Sequence, residues 1–165
     1  MPNLLAVPNV SVAGGDGGPG DEVLHRFREA FGRAARILDV HTDADHGRSV
    51  FTLAGEPGGL AESLLAGAEE ALEAIDMSSY AGAHPAIGAL DVCPIVWTSE
   101  DDRDAARTEA VAVAAQIGGL GVPVFLYGEL ARDPARVERA YFRAGGLAEL
   151  WLRMEGGELR PDFGP

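Results

Sequence analysis

Three features of the sequence predict an α/β (α+β) fold on the ferredoxin-like, split βαβ plan, a sheet with helices covering one face. Short apolar runs bounded by glycine, proline or polar turns alternate with long segments of helical periodicity. Two of the runs flank a polar stretch of hairpin length. A further helix and strand follow the βαββαβ order and extend it by an α-β unit, and 165 residues suffice for one domain with a real core.

Asn3 to Val7 is an apolar strand stopped by Pro8. Ala13 to Gly20 reads AGGDGGPG, a flexible loop without regular structure. From Asp21 onward, Val23, Leu24, Phe27, Phe31 and Ala34 recur at helical spacing, with Arg26, Arg28, Glu29 and Arg33 largely opposite. Ile37 to Val40 is a strand, the polar HTDADHGR turn follows, and Ser49 to Leu53 returns antiparallel. Gly55 to Gly59 breaks the chain before a helix that aligns Leu60, Leu64, Leu65, Ala68, Leu72 and Ile75. Glu62, Glu69, Glu70 and Glu73 form its solvated face. Ala89 to Trp97 is the fourth strand, where Pro94 marks an edge or a bulge. Ser99 and the acids after it start a helix that runs to Ile117 and ends at Gly118-Gly119. Val122 to Tyr127 is a further strand and Asp133-Pro134 opens another helix. A short helix over Leu147 to Met154 precedes an irregular PDFGP end.

Composition narrows the chemistry. A formal charge of −13 argues against a nucleic-acid or anionic-membrane surface. Every cationic side chain is arginine, so Schiff-base and other lysine chemistry is excluded. No apolar run approaches the roughly 20 residues of a membrane span. MPNLLAVPNV has no basic region ahead of its apolar run and does not read as a secretory signal. With Cys93 as the single cysteine no internal disulfide forms, and a cytoplasmic location is expected.

His84 is the foremost candidate for catalysis. Pro85 biases it toward extended backbone, and Gly82 and Gly88 permit tight turns and close approach of a ligand. Such a loop is a suitable mount for a general base, since imidazole titrates near working pH. A hydrogen-bonded structural histidine is the alternative. His41, Asp43, Asp45 and His46 collect two imidazoles and two carboxylates. They lack a calcium-loop glycine, a terminal glutamate and zinc-type pairing, so a polar hairpin turn is the simpler reading and no metal is assigned. Arg48 suits a carboxylate clamp, because guanidinium binds carboxylates bidentately. Cys93, in an apolar strand, reads as a small core residue. The glycine-rich loops lack both G-x-G-x-x-G and a P-loop lysine.

Several segments together resemble the N-terminal subdomain of the glutamate formiminotransferase family. They are Val7-Pro8-Asn9 with Ser11, LDV ending at Val40, DADHGRSVFTLAGEP from Asp43, IDM from Ile75, HPAIGALDVCP from His84, VPVFLYGE from Val122, and the closing PDFGP. The resemblance covers nearly the whole chain, and IGALDVCP and PDFGP are its specific parts. It implies a mixed sheet with helices on one outer face, and residues 1–165 as one such subdomain with the second subdomain absent. It further implies formimino transfer between N-formimino-L-glutamate and tetrahydrofolate, the folate being a co-substrate. His84 would be the catalytic acid/base, with Asn9, Ser11, His41, Asp45, Arg48 and Gly88 binding substrate and folate. A C-terminal subdomain or a second copy of the chain would be the protein partner.

The chain departs from the family pattern in several places. Val12-Ala13-Gly14 stand where Glu-Gly-Arg is usual, and His41 replaces an aspartate. Gly47-Arg48 replaces an Asn-Arg pair, Tyr80, Ala81 and Ala83 replace His, Lys and Glu, and Ala86 replaces Arg. Three readings stay open on this basis: a formiminotransferase-type enzyme, a diverged binding or assembly protein on the same scaffold without the chemistry, and, least favoured, an altered catalysis assisted by a metal at the His41–His46 turn.

Overall fold

The computed structural model describes residues 3–83 and 85–165. The chain divides into two compact units, Met1–His84 with Gly88–Val113, and Pro85–Ile87 with Ala114–Pro165.

The first unit carries the sheet. β1 (Leu4–Ala6) and β2 (Asn9–Val10) form one line broken at Pro8. Proline has no N–H for the ladder, yet the Pro8 carbonyl accepts from Phe51 N–H at 3.0 Å, so pairing resumes beyond it. On one side this line pairs with β4 (Arg48–Gly55), which pairs in turn with β3 (Arg36–Asp43). On the other side it pairs with β5 (Leu90–Val92) and β6 (Ile95–Val96). The sequence of lines is therefore β5/β6, β1/β2, β4, β3, the strand order of a βαββαβ sheet. The strand expected over Ala89–Trp97 is split at Cys93-Pro94 on the sheet edge, where the Pro94 carbonyl still accepts from Val7 N–H at 3.0 Å. Each pairing is antiparallel rather than mixed.

Helices cover one face. Phe51 and Leu53 of β4 are fully buried, and the Phe51 ring lies 4.9 Å from Phe31 and 6.1 Å from Phe27 of α1 (Pro19–Phe31). α2 (Gly59–Ala74) packs beside α1 and buries Leu60 and Leu64. A Cβ at Gly67 would fall inside the Phe31 ring, so only glycine lets α2 come this close. Glu70, expected on the solvated face of α2, instead meets Arg26 of α1 at 2.7 Å. The Ala13–Gly20 loop is organised by side chains: the Asp21 carboxylate accepts from Gly15 and Gly17 N–H, and Thr42 Oγ1 accepts from Gly14 N–H at 2.8 Å.

α2 has no side-chain cap from its own first residues. The cap comes from α3 (Arg103–Gly118), which follows a 3₁₀ turn over Glu100–Asp102. The buried Glu109 carboxylate accepts from Gly58 N–H at 2.9 and 3.0 Å and from Ala61 N–H at 2.7 Å. It thereby satisfies donors that a helix start leaves without partners.

The second unit departs from the expected α-β extension. Val122 to Tyr127 is not a strand: it keeps a single bridge, Val124 to Phe163. The Asp162 carboxylate, rather than a neighbouring strand, accepts from Leu126 N–H at 2.7 Å. The helix expected at Asp133 is one 3₁₀ turn, Pro134–Arg136, capped by Asp133. Arg136 leaves that turn to lie over Phe125 and Phe142 and to donate to Asp162 at 3.3 Å. α4 (Ala140–Arg143) and α5 (Gly146–Glu155) follow, and Phe142, Leu150 and Leu159 centre the core of this unit. Among the described residues no helix is long and apolar enough to cross a membrane.

Candidate functional site

Alternation along β4 sets the site. Phe51 and Leu53 face the helices, so Arg48, Val50 and Thr52 face the other way. Val50 stands opposite Asn9 of β2 and His41 of β3, and Arg48 stands opposite Asp43. Directly opposed residues share a face. Asn9, His41, Asp43 and Arg48 therefore gather on the face turned away from α1 and α2.

Each is held differently. Asn9 Nδ2 donates to the Val7 carbonyl at 3.0 Å, which fixes the side chain across Pro8. His41 is exposed. Asp43 accepts from the His46 backbone N–H at 3.1 Å and lies 2.6 Å from His46 Nδ1, and these two bonds hold its carboxyl below the usual carboxylate range. Arg48 is half-buried, and its Nε has no hydrogen-bond partner among the described residues. A buried guanidinium N–H ordinarily has an acceptor.

The other predicted residues are placed elsewhere. Ser11 is buried, its hydroxyl donating to the Gly88 carbonyl at 2.7 Å and its N–H to the Ala89 carbonyl at 2.9 Å, so Ser11 and Gly88 are joined to each other. Asp45 is exposed in the β3–β4 turn, and its carbonyl accepts from Ala83 N–H at 3.1 Å. His84 lies outside the described residues. Among the described residues no group of three or more His, Cys, Asp and Glu side chains is arranged to hold a metal.

Two further residues were not read as site candidates from the sequence. The Tyr80 hydroxyl donates to the His46 carbonyl at 2.7 Å. Burial and the negative charge of Asp91 push its pKa up, against an opposing pull from Arg48, so each of these charges lies within electrostatic reach of the phenol. Asp91 occupies the irregularity where the β2–β5 register shifts. Its signal was available, since it is the one acid in IGALDVCP.

Cys93 is half-buried as a residue, while its thiol sits in surroundings whose desolvation pushes its pKa up to about 12. At pH 8 the folded protein is expected to react with iodoacetamide about a thousandfold more slowly than the denatured chain, read by mass-spectrometric labelling. The folded state favours the neutral thiol. Its contribution to stability is thus complete below about pH 9 and lost as pH climbs toward 12.

An antiparallel sheet carrying Asn9, His41 and Arg48 on the face turned away from α1 and α2 defines an α/β subdomain with a polar site on the sheet. Residues 4–165 match the family model described as the formiminotransferase domain, N-terminal subdomain. The chain belongs to the formiminotransferase family, as its N-terminal subdomain. It is 40% identical over 149 residues to a formimidoyltransferase-cyclodeaminase of Gallus gallus, covering 83% of this chain and 27% of that protein. It is 34% identical over 170 residues to a glutamate formimidoyltransferase of Thermoplasma acidophilum, covering 100% of this chain and 54% of that one. A glutamate formimidoyltransferase of Streptococcus pyogenes serotype M1 is 35% identical over 133 residues, 78% of this chain and 43% of the relative. The chain thus spans between 27% and 54% of the length of these relatives.

Proposed function

We propose that this subdomain serves cytoplasmic, folate-dependent transfer of the formimino group between N-formimino-L-glutamate and tetrahydrofolate. The observation that carries the reading is the buried Nε of Arg48, without a partner among the described residues, on the same sheet face as Asn9 and His41. In a chain of net charge −13, an anionic substrate needs a local cation held in a fixed place. A carboxylate of formiminoglutamate or of the folate tail is the acceptor that Arg48 would take.

In the transfer direction the folate N5 amine attacks the amidine carbon and a tetrahedral intermediate forms. The bond to the glutamate nitrogen then breaks. One proton must leave N5 and one must reach the departing nitrogen, and His84 is assigned both tasks in turn. A C-terminal subdomain or a second copy of the chain completes the site in this reading.

Calorimetric titration with folinic acid and N-formimino-L-glutamate tests the reading, with any C-terminal continuation of the chain supplied. Arg48→Met is expected to weaken binding of the anionic substrate by roughly 10- to 100-fold with little change in Tm. A wild type that binds neither compound rejects the reading. A second reading, folate binding without transfer, draws on Tyr80, Ala81 and Ala83, which depart from the His, Lys and Glu of the resembled pattern. Binding without turnover in the presence of both substrates would select it.

A further inference from the structure

We propose that Tyr80 is a positioning residue that sets the place of the loop leading into His84. The consequence for chemistry rests on the reading of His84 as the proton-transfer group. Residues 76–83 are tied down at successive points. The Asp76 carboxylate accepts from Ser78 N–H at 2.9 Å and from the Ser78 hydroxyl at 2.6 Å, which starts a 3₁₀ turn over Met77–Ser79. Tyr80 then donates its hydroxyl to the His46 carbonyl at 2.7 Å. Ala83, the residue before His84, donates its N–H to the Asp45 carbonyl at 3.1 Å. The last two bonds end on the same β3–β4 turn.

That turn is a firm anchor. His46 is fastened to Asp43 through both its backbone N–H and its imidazole. Gly47 turns the chain with φ +66°, and a Cβ there would stand 2.8 Å from Gly82 Cα and 3.2 Å from the Tyr80 ring. A Cβ on Gly82 would overlap both the Tyr80 hydroxyl and the His46 carbonyl. Two glycines thus make room for one ring between loop and turn, and the phenol–carbonyl bond closes the gap. The elements packed on the phenol also bring it Asp91 and Arg48. A phenol is protonated, and so a donor, at neutral pH.

The test compares wild type with Tyr80→Phe, which keeps the ring and removes the bond. Hydrogen exchange at the Ala83 amide is read by NMR, and transfer from N-formimino-L-glutamate to tetrahydrofolate by steady-state kinetics. Exchange at Ala83 is expected to accelerate, and kcat to fall roughly tenfold with KM for both substrates within about twofold. Unchanged exchange at Ala83 overturns the proposal, whatever happens to turnover. Accelerated exchange with unchanged kcat, in a protein whose transfer depends on His84, overturns it too. Accelerated exchange in a protein whose wild type does not transfer upholds the positioning role and rejects the functional reading alone. Gly82→Ala, which displaces the ring sterically, is expected to give the same pattern.

Discussion

If the chain carries the proposed formimino transfer, replacing His84 by glutamine is expected to lower it by about 10²- to 10⁴-fold while folinic acid affinity stays within about threefold. The size follows from what the reaction demands. A secondary amine that has attacked the amidine carbon carries a proton it must lose, and an amine cannot leave as an anion at neutral pH. One imidazole that removes the first proton and delivers the second serves both halves, so its loss raises both barriers. Glutamine preserves much of the bulk and the hydrogen bonding but cannot change protonation state. Stopped-flow and steady-state kinetics check the first number, and titration with folinic acid checks the second. A fall in affinity to match the fall in rate would make His84 a binding residue.

Glu109→Ala is expected to destabilise the fold by about 3 kcal/mol, read by chemical denaturation. Glu109 is 5% exposed and accepts from two backbone donors at the start of α2. Removing it leaves those donors buried without partners, and removes a negative charge from the positive end of a 16-residue helix. Glu109→Gln keeps one acceptor oxygen and should cost about half as much. An unchanged midpoint in the alanine variant would show that solvent replaces the carboxylate.

Both predictions concern residues that the sequence presents unequally. His84 is conspicuous between proline and glycines. Glu109 looks like any acid on a surface helix, because its partners are 48 and 51 residues away. Asp162 was hidden in the same way: its bond to Leu126 spans 36 residues and takes the place of the strand expected over Val122–Tyr127. Apolar residues alone suggest that strand, and nothing local reveals that a side chain supplies its acceptor. Ser11 and Gly88, read separately as ligand contacts, meet each other across 77 residues. Tyr80 carries no local signal, since its partner His46 is 34 residues back on another turn.

Periodicity, turn chemistry and the order of elements are properties of near neighbours. The sequence by itself therefore determined the βαββαβ plan, the buried face of α1 and the family; on α2 it placed Leu60 and Leu64 correctly, while Leu72, expected on the same face, is exposed. Register is a property of strands that meet only after the chain has folded. Asn9, His41 and Arg48 lie on three different strands, and only the pairing of Val50 with both Asn9 and His41 places them on one face. The tertiary structure also decided which backbone donors are met by distant carboxylates. Such bonds form only when packing of the core brings residues far apart in the chain within about 3 Å.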